Sequence, residues 1–307
     1  MSTDTTPRVA VIGLGRMGMH HVRACADVEV VELVAVSDQQ TDVAKQVAQD
    51  FTCKAISNIN DLVGQIDMAV IAVSTRHHRA VAVPLLEAGI ACLIEKPIAV
   101  DDDEAQAIIK AAGAGGAALA IGHIERFNPT IITLRSALRD NIKDGHAVSS
   151  FSARRLNLPS PRNYDVDAVL DLMIHDLDLM TLFLESDVAS ISVAPGATTE
   201  DITTHLTFDD QSTAQFQVSR AAKTQHRDLQ IGVGTTQYRI DFAAKTVVEI
   251  QSSTKTEIKV DDRDALRAQL RAFAQLTQNQ DSPIASGAEG AQALHLANQI
   301  RQHAGLL

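Results

Sequence analysis

The first 125 residues alternate between short apolar runs and segments in which apolar residues recur every three to four positions. Runs that are apolar almost throughout are typical of strands covered on both faces, and the longer period is typical of amphipathic helices. Regular strand–helix alternation predicts a doubly wound, mainly parallel sheet. The predicted strands are residues 8–13, 30–38, 68–74, 91–95 and 118–123, and the predicted helices are residues 16–27, 41–50, 77–88 and 101–112.

The pattern changes after about residue 125. From residue 189 to 260, apolar and polar residues alternate in seven strand-like segments, which predicts an antiparallel sheet with one solvated face. This uncovered face is a candidate surface for subunit association. The other predicted elements are helices at 129–140, 166–185, 262–279 and 287–303 and an extended segment at 146–157.

With 307 residues the chain is long enough for about two domains. We expect an α/β nucleotide-binding domain over residues 1–125 and an α+β domain over residues 126–286, which would bind substrate and form the oligomer. The final helix, 287–303, follows the second sheet but lies apart from it in the sequence. We therefore expect that it can pack back onto the first domain.

Composition narrows the class of protein. The net charge of −11 argues against a nucleic-acid-binding surface, although a local basic pocket for a small anion remains compatible with it. No apolar run reaches 18 residues and no secretory signal is visible, so neither a membrane span nor export is expected. Cys25, Cys53 and Cys92 are scattered, which favours a reducing, cytoplasmic setting without disulfides.

A glycine-rich loop follows the first predicted strand directly and opens the first predicted helix. It contains Gly13, Gly15 and Gly18 in the spacing GxGxxG, and Asp38 ends the second strand 20 residues later. This is the full context of a dinucleotide-binding loop. Gly13 would make the turn, Gly15 would let the pyrophosphate approach, and Gly18 would let helix and strand pack closely. Asp38 would accept both adenosine ribose hydroxyls, which favours NAD.

Further cofactor contacts are expected around this loop and at the end of a neighbouring strand. Arg16 and Met17 begin the first helix, where backbone amides face bound phosphates. Ser74, Thr75 and His78 lie at the carboxyl end of a strand, where such sheets bind ligands. Capping of the next helix by Ser74 or Thr75 is the alternative interpretation.

Two adjacent charges end the strand in the stretch ACLIEKPIAV. Glu95 and Lys96 follow a buried run and precede Pro97, at the sheet edge where the nicotinamide would reach. We therefore predict that Lys96 is a reaction-centre residue that also binds the nicotinamide ribose, and that Glu95 beside it is a further cofactor contact. The alternative is a strand exit with two solvated charges.

A second chemical pattern lies in the predicted helix at 166–185. Asp171 and His175 are four residues apart and so share one helical face. A nearby carboxylate orients an imidazole and raises its pKa, and such an imidazole suits removal of an alcohol proton. A solvated acidic face with one histidine is the alternative. Neither this pattern nor the adjacent His20 and His21 predicts a metal site.

These motifs together resemble the Gfo/Idh/MocA family of NAD(P)-dependent oxidoreductases, and the resemblance covers essentially the whole chain. It implies a Rossmann domain, a second domain with a large open, mostly antiparallel sheet, and dimers or tetramers formed through that sheet. It also implies that Lys96 lies between nicotinamide and substrate, with Asp171 and His175 facing it. One departure is that VDAVL replaces the glycine-rich stretch often found before the aspartate.

Two further stretches, GHIERFNP at 122–129 and DLMIHDLDL at 171–179, resemble a branch of this family. Its members oxidise the 3-hydroxyl of UDP-N-acetylglucosamine, and their 3-keto product supplies an aminotransferase on the way to an amide-linked lipid A. The resemblance therefore implies that substrate or a related sugar nucleotide.

A diphosphate substrate needs cations and hydrogen-bond donors. The candidates in the sequence are Arg126, Asn128, Arg154, Arg155 and Arg162, although arginines are common on any surface.

The expected reaction is the oxidation of a sugar secondary alcohol to a ketone. His175 would accept the hydroxyl proton, Asp171 would align it, and Lys96 would bind the same oxygen. Which of Lys96 and His175 is the base stays open, as does the isomer of the Lys96–Pro97 bond. Two alternatives are a dehydrogenase for a free cyclitol or aldose, and a catalytically silent NAD-binding sensor.

Overall fold

The structure, a computed structural model, describes residues 6–143, 146–161, 165–278 and 280–307; within these, the side chains of 140–143 are left out. The chain divides into two compact units. The first comprises residues 1–124 and 265–292, and the second comprises residues 125–264 and 293–307.

The first unit is built on a seven-stranded sheet in the order β15-β6-β5-β4-β1-β2-β3. Its strands are β1 (Arg8–Ile12), β2 (Glu32–Ser37), β3 (Lys54–Ala55), β4 (Met68–Ile71), β5 (Ala91–Ile94), β6 (Leu119–Ile121) and β15 (Ala285–Ser286). All neighbouring strands are parallel except β15 and β6. Val9, Val70 and Cys92 in its centre are fully buried, as expected for strands covered on both faces. This confirms the predicted doubly wound sheet.

Helices connect these strands. They are α1 (Arg16–Asp27), α2 (Thr41–Asp50), α3 (His78–Glu87) and α4 (Asp102–Gly115), with α7 (Ala265–Thr277) and the start of α8 (Gly287–His303) near the C-terminus. Asp101 caps α4 by accepting a hydrogen bond from the Glu104 amide at 2.8 Å. No helix among the described residues is long and apolar enough to cross a bilayer.

The second unit contains an eight-stranded sheet in the order β14-β13-β12-β11-β7-β10-β9-β8. Its strands are β7 (Val148–Leu156), β8 (Val188–Val193), β9 (Asp201–Phe208), β10 (Thr213–Ser219), β11 (His226–Val233), β12 (Thr236–Asp241), β13 (Thr246–Gln251) and β14 (Thr254–Ile258). Only β7 and β10 pair in parallel. Phe151, Phe216 and Leu229 point into the core, and polar residues alternate with them on the outer face. This confirms the predicted open, mostly antiparallel sheet.

The helices of the second unit are α5 (Pro129–Lys143), a π-helical turn (Val169–Met173) and α6 (Ile174–Thr181), followed by the end of α8. The predicted helix over 166–185 is therefore too long, and it is wrong in type over its first turn. Its apolar residues Leu170, Met173 and Leu177 are buried as the pattern required.

The C-terminal part of the predicted second domain differs from the structure. Residues 265–286 belong to the first unit, where α7 packs on α1 and Arg267 Nη2 lies 2.5 Å from Asp27 Oδ2. The strand pair of Ala285 with Ile121 also ties this region to the first sheet. The last helix, α8, begins in the first unit, and its residues from 293 onward belong to the second.

Candidate active site

The glycine loop between β1 and α1 has the shape that its spacing predicts. Gly13 has φ +89°, and a Cβ there would lie 2.7 Å from the backbone of Ala72. A Cβ on Gly18 would lie 1.8 Å from the Gly13 carbonyl oxygen. A Cβ on Gly15 would meet no protein atom within 4 Å. The two outer glycines therefore serve close packing, while the space over Gly15 is open for a ligand at the N-terminus of α1.

Asp38 follows β2 and is fixed by two backbone amides. Its Oδ2 accepts a hydrogen bond from the Leu14 amide at 2.7 Å, and its Oδ1 accepts one from the Gln40 amide at 2.8 Å. Each carboxylate oxygen keeps lone-pair capacity for a further donor. Asp38, Gly13 and Gly15 line one cavity of about 540 Å³. The donor set and the open space fit an adenosine ribose and a pyrophosphate.

The rim of this cavity partly matches the predicted contacts. Ser74 lines the cavity, while Thr75 is buried and does not line it. Arg16 is exposed at the first position of α1, and Met17 is half-buried beside it; neither lines the cavity. The capping alternative finds no support at Ser74, which makes no side-chain cap bond.

His78 is the clearest departure from the predicted cofactor contacts. It is buried, with Nδ1 3.0 Å from the Pro97 carbonyl oxygen and Nε2 3.1 Å from the Val73 carbonyl oxygen. Burial lowers the pKa of His78 and so favours the neutral ring. The cavity is lined instead by the preceding residue, His77, because the chain turns at Thr75–His77 before α3 begins. His78 therefore fixes the loop after β5.

The loop after β5 begins with Glu95 and Lys96. The Lys96–Pro97 bond is cis. Glu95 is buried, and its Oε1 lies 2.6 Å from Nε2 of the fully buried His21 on α1. Burial alone raises the pKa of Glu95, but the His21 hydrogen bond and the charges of His21 and Lys96 outweigh it and leave the pKa below 4.5. Glu95 thus anchors the loop to α1 and does not line the cavity of Asp38, so its placement does not support the predicted cofactor contact. Lys96 is half-buried beside it.

Glu95 also explains why position 122 is glycine. A Cβ on Gly122 would lie 3.1 Å from the Glu95 carboxyl carbon and 3.2 Å from its Cα. The close approach leaves the carboxylate between α1 and the chain leaving β6. The sequence offered no signal that His21, one of two adjacent histidines, is the partner of Glu95.

Asp171 and His175 lie at the two ends of a change in helix type. Asp171 belongs to the π-helical turn, and His175 is the second residue of α6. Both are half-buried. π-Helical turns are rare and occur frequently at functional sites. A buried arginine that the sequence did not single out, Arg220, places Nη1 3.6 Å from Asp171 Oδ2.

Arg220 is itself held from several sides. It makes two hydrogen bonds to Glu200, at 2.8 and 2.6 Å, and one to the Val166 carbonyl oxygen at 2.9 Å. Its guanidinium group is therefore fixed beside Asp171.

Two of the predicted substrate cations are buried inside the second unit. Arg126 makes three hydrogen bonds to Asp178, and Arg155 makes two to Asp176. Both side chains are at most 6 % exposed. The prediction that they bind substrate is not supported by this placement, because their charges face internal carboxylates.

The remaining predicted substrate residues differ in accessibility. Arg154 is 42 % exposed and paired with Asp228 on the outer sheet face. Asn128 is half-buried and donates to Glu125 Oε2 at 2.9 Å. Arg162 lies outside the described residues. No cluster of three or more histidine, cysteine or acidic side chains suited to a metal ion occurs in the part of the chain that the structure covers.

Comparison with known proteins identifies the class to which this fold and site belong. Residues 7–123 match the model of an oxidoreductase family with an NAD-binding Rossmann fold. The chain is 32 % identical to a UDP-N-acetylglucosamine 3-dehydrogenase from Acidithiobacillus ferrooxidans, over 96 % of both chains. It is 27 % identical to an inositol 2-dehydrogenase from Saccharopolyspora erythraea, over 93 % of this chain and 87 % of the other.

Comparison with solved structures supports the same class. The UDP-N-acetylglucosamine 3-dehydrogenase GnnA from A. ferrooxidans superposes with a TM-score of 0.90 at 30 % identity, covering 98 % of this chain and 99 % of that one. An aldose-aldose oxidoreductase from Caulobacter crescentus, at 16 % identity and a TM-score of 0.86 over 98 % of both chains, shares the fold. The protein is an NAD-dependent oxidoreductase acting on CH–OH groups. It belongs to the Gfo/Idh/MocA family.

The contrast between two glycines gives a test of the cofactor site. Gly15→Ala is expected to leave thermal stability without NAD unchanged, because its backbone is extended and its Cβ meets no protein atom. The same methyl group should weaken NAD binding at least tenfold, because it fills the pyrophosphate's space. Gly18→Ala should lower stability even without NAD. Thermal unfolding and NAD titration of both variants measure this, and equal effects would contradict it.

Proposed function

We propose that this protein oxidises the 3-hydroxyl of UDP-N-acetylglucosamine, or of a closely related sugar nucleotide, with NAD. The observation that carries the proposal is the near full-length similarity to the UDP-N-acetylglucosamine 3-dehydrogenase from A. ferrooxidans. The two sequences are 32 % identical, and the structures superpose with a TM-score of 0.90. On this proposal the 3-keto product feeds an aminotransferase in the synthesis of an amide-linked lipid A.

In the proposed mechanism, bound NAD supplies the hydride acceptor. His175 accepts the proton of the substrate hydroxyl, and Asp171 aligns the imidazole or binds a neighbouring hydroxyl. Arg220 supports this role, since its buried guanidinium keeps the Asp171 carboxylate oriented. Lys96 donates to the same substrate oxygen, and Glu95 with His21 fixes the loop that carries it. Proton transfer by a positioned base contributes about 10²–10⁴-fold to the rate.

The cofactor contacts in this proposal follow from the cavity. Asp38 accepts from the adenosine ribose, Gly15 lets the pyrophosphate approach, and Ser74 and His77 face the same space. The amides at the start of α1 bind the phosphates.

We also propose a homodimer or homotetramer formed through the outer face of the eight-stranded sheet. Side chains on this face, such as His205, Gln215 and Thr213, are exposed in the single chain. Ser152, Gln215, Gln230 and Arg239 stand in one continuous row across four strands. Sedimentation of the protein measures its oligomeric state, and a monomer would contradict this proposal.

A thermal-shift screen in saturating NAD tests the substrate. UDP-N-acetylglucosamine and UDP should both raise the melting temperature, because bound ligands stabilise the folded state by mass action. Myo-inositol and free N-acetylglucosamine should not. NADH should form only with the sugar nucleotide.

The relatives named as inositol dehydrogenases supply the competing outcome. A shift with myo-inositol and none with UDP would favour a cyclitol dehydrogenase. NADH formation with none of a broad panel of sugars and sugar nucleotides would favour a silent NAD-binding sensor.

A further inference from the structure

The stretches GHIERFNP at 122–129 and DLMIHDLDL at 171–179 contact each other through Arg126 and Asp178. The first supplies the short 3₁₀ helix Ile124–Phe127, and the second supplies α6. Arg126 Nη2 lies 2.7 Å from Asp178 Oδ1, and Arg126 Nε lies 2.9 Å from Asp178 Oδ2. Their side chains are 3 % and 0 % exposed. This is a fully buried, bidentate ion pair between the two stretches.

A second link joins the same two stretches through β7. Arg155 donates to both oxygens of Asp176, at 2.7 and 2.8 Å, and to Glu125 Oε1 at 3.1 Å. Glu125 precedes Arg126, and Asp176 lies two residues before Asp178. Together with the backbone that joins Glu125 to Arg126 and Asp176 to Asp178, the contacts of these five side chains close a ring. We call them the charge ring.

Further contacts hold the charge ring in place. Arg227 on β11 and Asn128 also donate to the Glu125 carboxylate. Burial opposes ionisation of Glu125, but the charges of Arg155 and Arg227 outweigh it and keep its pKa low. The guanidinium carbons of Arg155 and Arg227 each lie 5.4 Å from the Phe242 ring centre. With Arg227 included, three guanidinium groups face three carboxyl groups, so the formal charges of the cluster cancel.

The charge ring binds α6 through Asp176 and Asp178, next to His175. Successive helix residues are about 100° apart, so Asp176 and Asp178 leave the helix about 200° apart, on nearly opposite sides. One link leads to β7 and the other to the 3₁₀ helix. Together they restrict both the rotation and the translation of α6 at the turn that carries His175.

The stability of the second unit alone does not explain these buried ion pairs. Replacing a buried ion pair with well-packed apolar residues is often neutral or stabilising. Bidentate guanidinium–carboxylate pairs instead provide geometric specificity. A base displaced by about 1 Å can lose about 10²-fold in rate.

We propose that the charge ring positions His175 for proton transfer, and that Asp176, Asp178, Arg155, Arg126 and Glu125 are positioning residues rather than substrate ligands. This inference rests on the proposed role of His175 in the reaction. It assigns the arginines of the two stretches to the support of the base, because their buried guanidinium groups face internal carboxylates.

The test separates positioning from stability. Asp176→Asn and Asp178→Asn should each lower kcat about 10–100-fold. The KM for the sugar substrate should stay within about threefold, because neither carboxylate is exposed to it. The NAD dissociation constant should not change, since the cavity of Asp38 is formed by residues of the first unit. Arg126→Met combined with Asp178→Leu replaces one ion pair with apolar side chains and should keep the melting temperature while kcat stays low.

The controls distinguish the possible failures. Asp262→Asn removes an exposed carboxylate that pairs with Lys245 in the same unit, and should behave as wild type. Wild-type kcat in the stable double variant, or losses of kcat that simply follow the melting temperature, would overturn the inference while the role of His175 stood. Retained turnover in His175→Ala would overturn both.

Discussion

Replacing His175 with alanine is expected to lower kcat about 10²–10⁴-fold, the contribution of a positioned general base. Lys96→Ala should cause a loss of similar size, because it removes the donor to the reacting oxygen. NAD binding should survive in both variants, since neither residue lines the cavity that contains Asp38 and Gly15. Steady-state kinetics and NAD titration of the purified variants measure both effects.

Matched surface substitutions make this result specific. His303→Ala removes an exposed histidine at the end of α8, and Lys110→Ala removes an exposed lysine on α4. Both should keep wild-type turnover. The mechanism is wrong if His175→Ala and Lys96→Ala both oxidise the sugar with near-normal kcat.

The same variants decide which residue is the base. Sequence and structure leave Lys96 and His175 as candidates. A base must be deprotonated to act, so wild-type kcat should fall on the acidic side of its pH profile. Removing the base should flatten that side of the profile. Removing the other residue should lower kcat and leave the profile's shape.

The fold could be predicted from the sequence because local patterns and topology agreed. The apolar strands and the GxGxxG loop placed Gly13, Gly18 and Asp38 correctly, because that loop geometry is set by neighbouring residues. The alternating pattern likewise defined the second sheet. The packing of α7 on α1 was missed because the two helices are far apart in the sequence; Arg267 and Asp27, which join them, lie 240 residues apart.

Side-chain partners were the least predictable part of the site. Arg126 and Arg155 looked like diphosphate ligands because a sequence does not show which carboxylates are nearby. Their partners Asp178 and Asp176 lie 52 and 21 residues away. His77 lines the cavity in place of the predicted His78, because a single 3₁₀ turn before α3 decides which ring faces the cavity.

The π-helical turn is a further example. A spacing of four residues puts Asp171 and His175 on one face of a regular α-helix, but the structure changes helix type between them. No residue pattern in VDAVLDLMIH signals that change. The pair therefore depends on Arg220 and the charge ring for its arrangement, more than on helix periodicity.

The buried hydrogen bond between Glu95 and His21 carries the second large expected effect. Glu95→Ala should lower the free energy of unfolding of the first unit by about 1–3 kcal/mol, the cost of leaving a buried hydrogen-bonding group without its partner. His21 would be left buried without its carboxylate. Turnover should fall as well, because Lys96 follows Glu95 in the same loop. Hydrogen exchange of the peptide covering β5 reports this free energy directly.

The pH dependence of the same pair can be predicted in sign. The pKa of Glu95 in the folded protein lies below its ordinary value of 4.5. Its ionised form therefore contributes stability above about pH 4.5, and this contribution is lost as the pH falls toward the folded pKa. Wild-type β5 should lose protection against hydrogen exchange over that range, and Glu95→Ala should lose less.

Asp67→Ala provides the control for burial. It breaks the half-exposed pair of Arg8 with Asp67 in the same unit and should change stability far less. Equal costs for the two pairs would show that the burial of Glu95 and His21 does not determine the effect.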